Sequence, residues 1–200
     1  MLNCLHCASE SGSCTTTTSQ QCPSDNVCAA LIYNFSLSRF IVNIGEIHGC
    51  LPQAVCNPHK TNPSILETIY SANVGVAKGF LSIFCCESNN CNRISDNKEQ
   101  DNKPNGLQCL SCWNPPDKTC NSSISCAGNQ DHCITGTVIN LANLTVKGCA
   151  SKSFCGANFH NSSLGNVQCC TGNLCNSSET RNRQGFGLFL MIIITTKLLQ

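Results

Sequence analysis

Charge is sparse in this sequence. Only 12% of the 200 residues are Asp, Glu, Lys or Arg and the formal net charge is +1, so no long-range field exists to gather nucleic acid or an anionic membrane surface. Aromatic residues are scarcer still, at 6% with a single tryptophan, Trp113. That is little material for the core that usually stabilises a chain of this length. Catalytic signatures are missing as well: there is no Gly-x-Ser-x-Gly, no His-Glu-x-x-His and no phosphate-binding glycine loop. Asp131-His132 sets an acid beside an imidazole, but neighbours on an extended chain face opposite ways and no nucleophile is marked with them. We expect no enzyme and no cofactor. The basic, apolar and small-residue stretches of a secretory signal are also missing, since Cys4 follows Met1 almost at once. The chain is therefore read as a mature or truncated form.

Cysteine is what the sequence has in excess, 20 in all. At one residue in ten, composition alone indicates a disulfide scaffold and an oxidising, extracellular compartment. Sequons at Asn34, Asn121, Asn143, Asn161 and Asn176 agree with that compartment. The cysteines fall into two sets of ten whose spacings repeat. Leu2-Asn3-Cys4-Leu5-His6-Cys7 is matched by Leu107-Gln108-Cys109-Leu110-Ser111-Cys112. Gly49-Cys50 with Cys56 is matched by Gly148-Cys149 with Cys155. Each set closes on Cys-Cys-x4-Cys-Asn, at Cys85, Cys86, Cys91, Asn92 and at Cys169, Cys170, Cys175, Asn176. Between these fixed clusters the lengths differ: Cys28 to Cys50 is 22 residues against 16 from Cys133 to Cys149, and Cys56 to Cys85 is 29 against 14 from Cys155 to Cys169. A rigid knot with loops of adjustable length gives that pattern, and function is expected in the loops. Ile94–Gly106 is polar throughout and reads as a linker. The expected organisation is a first domain over 1–93, a linker over 94–106 and a second domain over 107–176, with a distinct tail from 177 to 200.

Leu31 to Ile47 is rich in β-branched and aromatic residues, and Thr135 to Val146 is a shorter stretch of the same kind. Ile65 to Ile69 is read as one helical turn, with Gly75 and Gly79 arguing against a longer helix. The fold class expected is small all-β and disulfide-rich. Gly185 to Thr196 runs apolar for only about a dozen residues before Lys197, short of the roughly 17–25 that a spanning helix needs. It suits a glycosylphosphatidylinositol attachment signal, with Asn176, Ser177 and Ser178 as the small triplet, nominally Asn176 the attachment residue, and Glu179 to Gln184 the spacer. A metal site over His48, Cys50, Cys56 and His59 is set aside, because the second repeat has no histidine to match and all cysteines fall into two equal sets.

The opening Leu-x-Cys-x-x-Cys, the ten cysteines per repeat and the Cys-Cys-x4-Cys-Asn close resemble the three-finger domain family of lymphocyte antigen six proteins, the urokinase receptor and snake toxins. That resemblance implies two tandem three-finger domains. By cysteine order it implies the pairs Cys4–Cys28, Cys7–Cys14, Cys22–Cys50, Cys56–Cys85 and Cys86–Cys91, then Cys109–Cys133, Cys112–Cys120, Cys126–Cys149, Cys155–Cys169 and Cys170–Cys175. It implies that Asn92 and Asn176 tie the bases of the fingers together. It also implies a lipid-anchored protein on the outer face of the plasma membrane that binds an extracellular or cell-surface protein. The alternative is a secreted inhibitor of an extracellular enzyme, since two tandem domains also resemble the phospholipase inhibitors of snake plasma. No metal and no nucleic acid are expected as partners. The candidate contact residues are Tyr33, Phe35, Leu37, Arg39 and Phe40 in the second finger of the first domain and Tyr70 in its third, an aromatic and Arg mixture of the kind found at interface hot spots. Packing inside the protein is the competing role for the same side chains. Glycans are expected on Asn34, Asn121, Asn143 and Asn161.

Overall fold

The computed structural model describes residues 1–10, 12–37, 41–56, 65–94, 101–112, 120–138, 144–157 and 164–177. The elements run β1 (Asn3–Ser9), β2 (Thr18–Gln21), β3 (Asn26–Leu37), β4 (Ile41–Pro52), a short α1 (Gln53–Cys56), β5 (Ile65–Asn73) and β6 (Ala77–Cys86). They continue with β7 (Pro104–Ser111), β8 (Ser122–Ala127), β9 (His132–Val138), β10 (Leu144–Ala150), α2 (Lys152–Gly156), β11 (Leu164–Cys170) and a closing 3-10 turn, Cys175–Ser177. The protein is small, all-β in its main elements and disulfide-rich. One local expectation is corrected: Ile65–Ile69 belongs to a strand and not to a helical turn. Its Ile and Thr residues are strand formers, and the neighbouring strand β6 pairs with it in the sheet.

The chain divides into two compact units. Unit 1 holds Met1–Phe35, the stretch from Ile41 to Ile69, and Phe80 onward to the linker; unit 2 holds the chain from Asp101 together with Tyr70–Gly79 and the strand-end residues Ser36 and Leu37. In unit 1 the strand order is β6-β3-β4-β1-β2. β3 lies inside this sheet, and from Val27 to Tyr33 every residue is buried, which is why its sequence reads as a continuous apolar run and not as an alternation. β2, Thr-Ser-Gln-Gln, is fully exposed at the sheet edge, and it is short and polar as an edge strand must be to avoid pairing with other chains. β1 is registered between β2 and β4, with Cys4 opposite Gln20 and Cys7 opposite His48. In unit 2, β9 pairs with β10 and β11, while β7 and β8 form a separate ribbon.

Ten disulfides reinforce a small apolar core. In the structure they join Cys4–Cys28, Cys7–Cys14, Cys22–Cys50, Cys56–Cys85 and Cys86–Cys91 in the first repeat. In the second they join Cys109–Cys133, Cys112–Cys120, Cys126–Cys149, Cys155–Cys169 and Cys170–Cys175. The half-cystines are themselves the packing material. Cys4, Cys22, Cys28 and Cys86 form one buried cluster with Leu2 and Phe84 against it. Cys109, Cys126, Cys133 and Cys149 form its counterpart with Leu107 and Ile124. Each bridge contributes about 2–4 kcal/mol by restricting the unfolded chain, so five per repeat can hold a fold that few aromatic side chains support.

A buried carboxamide completes each cluster. Asn92 is fully buried; its Oδ1 accepts from Leu5 N–H at 3.0 Å, and its Nδ2 donates to Leu5 O at 2.9 Å and to Ala29 O at 2.7 Å. Asn176 repeats this with Leu110 N–H at 2.9 Å, Leu110 O at 3.0 Å and Ile134 O at 2.9 Å. One side chain thereby bonds both the first strand and the central strand of its repeat. Just before it, Asn89 Oδ1 accepts from Asn3 N–H and Asn173 Oδ1 from Gln108 N–H, each at 2.9 Å. The next residue turns left-handed in both repeats, Asn90 at φ 55° and Leu174 at φ 55°. Asparagine tolerates that conformation, whereas leucine is strained in it by about 1–2 kcal/mol.

Two outcomes are expected. Asn92→Ala leaves buried backbone groups of Leu5 and Ala29 without partners and costs about 3 kcal/mol, read as a clear fall in the urea midpoint; an unchanged midpoint removes the tie. Leu174→Asn, which copies the first repeat, raises stability by about 1 kcal/mol in the same assay.

Candidate functional site

The second finger of the first repeat is the β3–β4 hairpin, and its aromatic pair is ordered by a glycine. Tyr33 is 3% exposed and its ring lies over Gly45 on the neighbouring strand, where a Cβ would stand 2.2 Å from the ring. No other residue type leaves room for that ring. Phe35, two residues further on the same strand face, stacks on Tyr33 with ring centroids 5.9 Å apart and planes inclined by 20°. Tyr33 is thus the support and Phe35, half-buried, the surface it presents. Burial first, and the Glu10 carboxylate second, push the Tyr33 phenol above its ordinary range, so it stays a neutral ring at physiological pH. Asn34 lies between the two and leaves from the opposite face, so a glycan there would not cover the pair.

The remaining candidates separate. Leu37 is 56% exposed at the end of β3. Arg39 and Phe40 lie outside the described residues, as do Asn143, Asn161, Ser178 and the apolar tail. Tyr70 is half-buried in unit 2, where burial pushes its phenol up, so the structure does not join it to the Tyr33–Phe35 pair in one unit. Asn121 is exposed beside Cys120, open to modification. Asn176 is 4% exposed with its amide committed to backbone carbonyls. Among the described residues no helix is long and apolar enough to cross a membrane.

Two features are not anticipated from sequence. Gly45 seats Tyr33, and an isolated glycine inside a strand-like run is the sequence signal of such a close approach. Glu46 and His48 are a buried, mutually hydrogen-bonded pair on β4, with Glu46 Oε2 also accepting from Cys14 N–H at 3.1 Å. The pair fastens the Cys7–Cys14 loop to the hairpin. Some cysteines come within ligand distance of one another or of histidine, as Cys22 and Cys50 do with His6. Their sulfurs are committed to disulfides and have lost the thiolate that binds metal.

Known proteins share this architecture in sequence. The bovine (Bos taurus) urokinase plasminogen activator surface receptor is 30% identical over 93% of this chain, and the chain spans 57% of that receptor's length. The mouse (Mus musculus) receptor of the same name is 33% identical over 46% of this chain and 32% of its own. A gamma-type phospholipase A2 inhibitor of the snake Elaphe climacophora is 33% identical over 36% of this chain and 39% of its own length. Residues 1–94 and 105–178, the two disulfide clusters each closed by its buried asparagine, both match the u-PAR/Ly-6 domain, and the chain belongs to that family.

Proposed function

We propose that the chain is a lipid-anchored, non-enzymatic binding protein of the cell surface, which recognises an extracellular protein through the second finger of its first domain with Phe35 as the central contact. The observation that carries this reading is the Tyr33–Phe35 stack seated on Gly45. An aromatic ring held in one orientation loses little freedom on binding and can contribute most of a contact's energy. Relatives named as a surface receptor and as an enzyme inhibitor support a binding role in the extracellular space. The low net charge leaves recognition to shape and apolar contact.

The lipid anchor rests on the tail. Its small triplet begins within the closing turn, in which Ser177 N–H donates to Leu174 O at 3.1 Å. Attachment at Ser177 or Ser178 keeps that bond, whereas attachment at Asn176 ends the chain before it. The second reading, a soluble inhibitor of a secreted enzyme, is favoured by the snake phospholipase inhibitor relative.

Phosphatidylinositol-specific lipase is expected to release the protein from cells that express the precursor with a signal peptide supplied. Protein found in the medium without lipase moves the inhibitor reading ahead. Phe35→Ala is expected to weaken capture of the cell-surface or matrix ligand by about tenfold or more, with the thermal midpoint nearly unchanged; full binding by the folded variant excludes the finger-two surface.

A further inference from the structure

Tyr70–Gly79 belongs to the first repeat in sequence but to unit 2 in space. There the end of β5 pairs antiparallel with β10, Asn73 opposite Cys149 and Ala72 opposite Ala150. The bonding continues past the strand end. Ser71 N–H donates to Ser151 Oγ at 3.0 Å, Ser151 N–H donates to Ser71 O at 2.9 Å, and the Ser71 hydroxyl donates to Asn129 Oδ1 at 2.6 Å. Both serines are buried, at 0% and 2% exposure. Ser151 is also the N-cap of α2, where its oxygen accepts from Phe154 N–H. The same hydroxyl that receives the hairpin therefore fixes the helix that carries Phe154 into the core.

The apolar contacts agree with the polar ones. Ala72 and Val74 form one buried cluster with Ile134, Val146, Ala150 and Phe154, so two of its six core members are supplied by the hairpin. Gly148 is shaped for this neighbour: a Cβ there would stand 2.0 Å from Asn73 O and 2.7 Å from Val74 Cα. Those are backbone atoms, which cannot yield unless the strand leaves. Without the hairpin, β10 would present an open strand edge beside an incomplete apolar cluster.

We propose that the second repeat is a strand acceptor whose permanent occupant is residues 70–79 of the first: the donated hairpin completes its sheet and core, and β9 and β10 do not hold their stable form without it. The third finger of the first repeat is then an internal structural element, withheld from outside partners. This goes beyond the ligand reading and does not depend on it, because Phe35 lies in unit 1.

Amide hydrogen exchange on the full-length protein tests the proposal. Ala72→Asp places a carboxylate in the apolar cluster without touching the second repeat's own sequence. Exchange in β9 and β10 is expected to accelerate by about a hundredfold, while the amides bonded around Asn92 keep their protection. Ser71→Ala, which keeps the shape and removes one buried hydrogen bond, is expected to give the same pattern at about fivefold and remains informative if Ala72→Asp is not secreted. Unchanged exchange in β9 and β10 of the folded Ser71→Ala protein overturns the proposal, as does acceleration that appears equally around Asn92.

Discussion

Everything in this fold hangs from a carboxamide that has no water to bond to. Asn92 and Asn176 each follow the last cysteine of their repeat, and each commits its oxygen and both amide protons to the first and central strands. The bond set is only possible if the chain returns to its starting point with ångström accuracy, and the disulfides enforce that return. Reciprocally, the disulfide clusters are small apolar cores that leave the strand bases with unpaired backbone groups, and an asparagine is the side chain that can serve a donor and two acceptors at once. Covalent restraint and polar satisfaction are therefore two halves of one device. Once it is closed, the strands leading away from it need only pair with one another, and their length can vary.

That division explains what can be read from the sequence. The duplicated cysteine spacings, the all-β character and the variable loops are visible because a covalent knot tolerates no insertion, so its spacing is written directly in the residue numbers. The pairing of the cysteines comes with the family resemblance, since spacing alone allows many connectivities. Ile65–Ile69 misleads because a short apolar run carries no period that separates a helical turn from a strand. Tyr33 groups with the surface aromatics in sequence, and only the packing of its ring on Gly45 places it beneath Phe35. A side chain's depth depends on what its neighbouring strand omits, which composition does not record.

The Gly-Cys pair shows the same limit more sharply. Gly49-Cys50 and Gly148-Cys149 look like two copies of one motif. At Gly49 an added Cβ would meet the His6 ring at an ordinary 3.6 Å, whereas at Gly148 it would strike the backbone of Asn73. Identical letters at equivalent positions carry different duties, because the second copy has a strand from outside its own repeat laid against it. Duplication supplied two scaffolds, and the structure made them unequal.

The burial of Asn176 carries a consequence for biosynthesis. Its Asn-Ser-Ser triplet is a glycosylation acceptor in the extended chain, yet in the folded protein the same nitrogen donates to two carbonyls at 4% exposure. A sugar on that nitrogen would remove one of the two protons and has no space to occupy. Glycan transfer and closure of the second knot are therefore competing fates of one atom. The acceptor nitrogen is accessible to a sugar only while the knot is open, and a sugar on it is incompatible with the closed hydrogen-bond set.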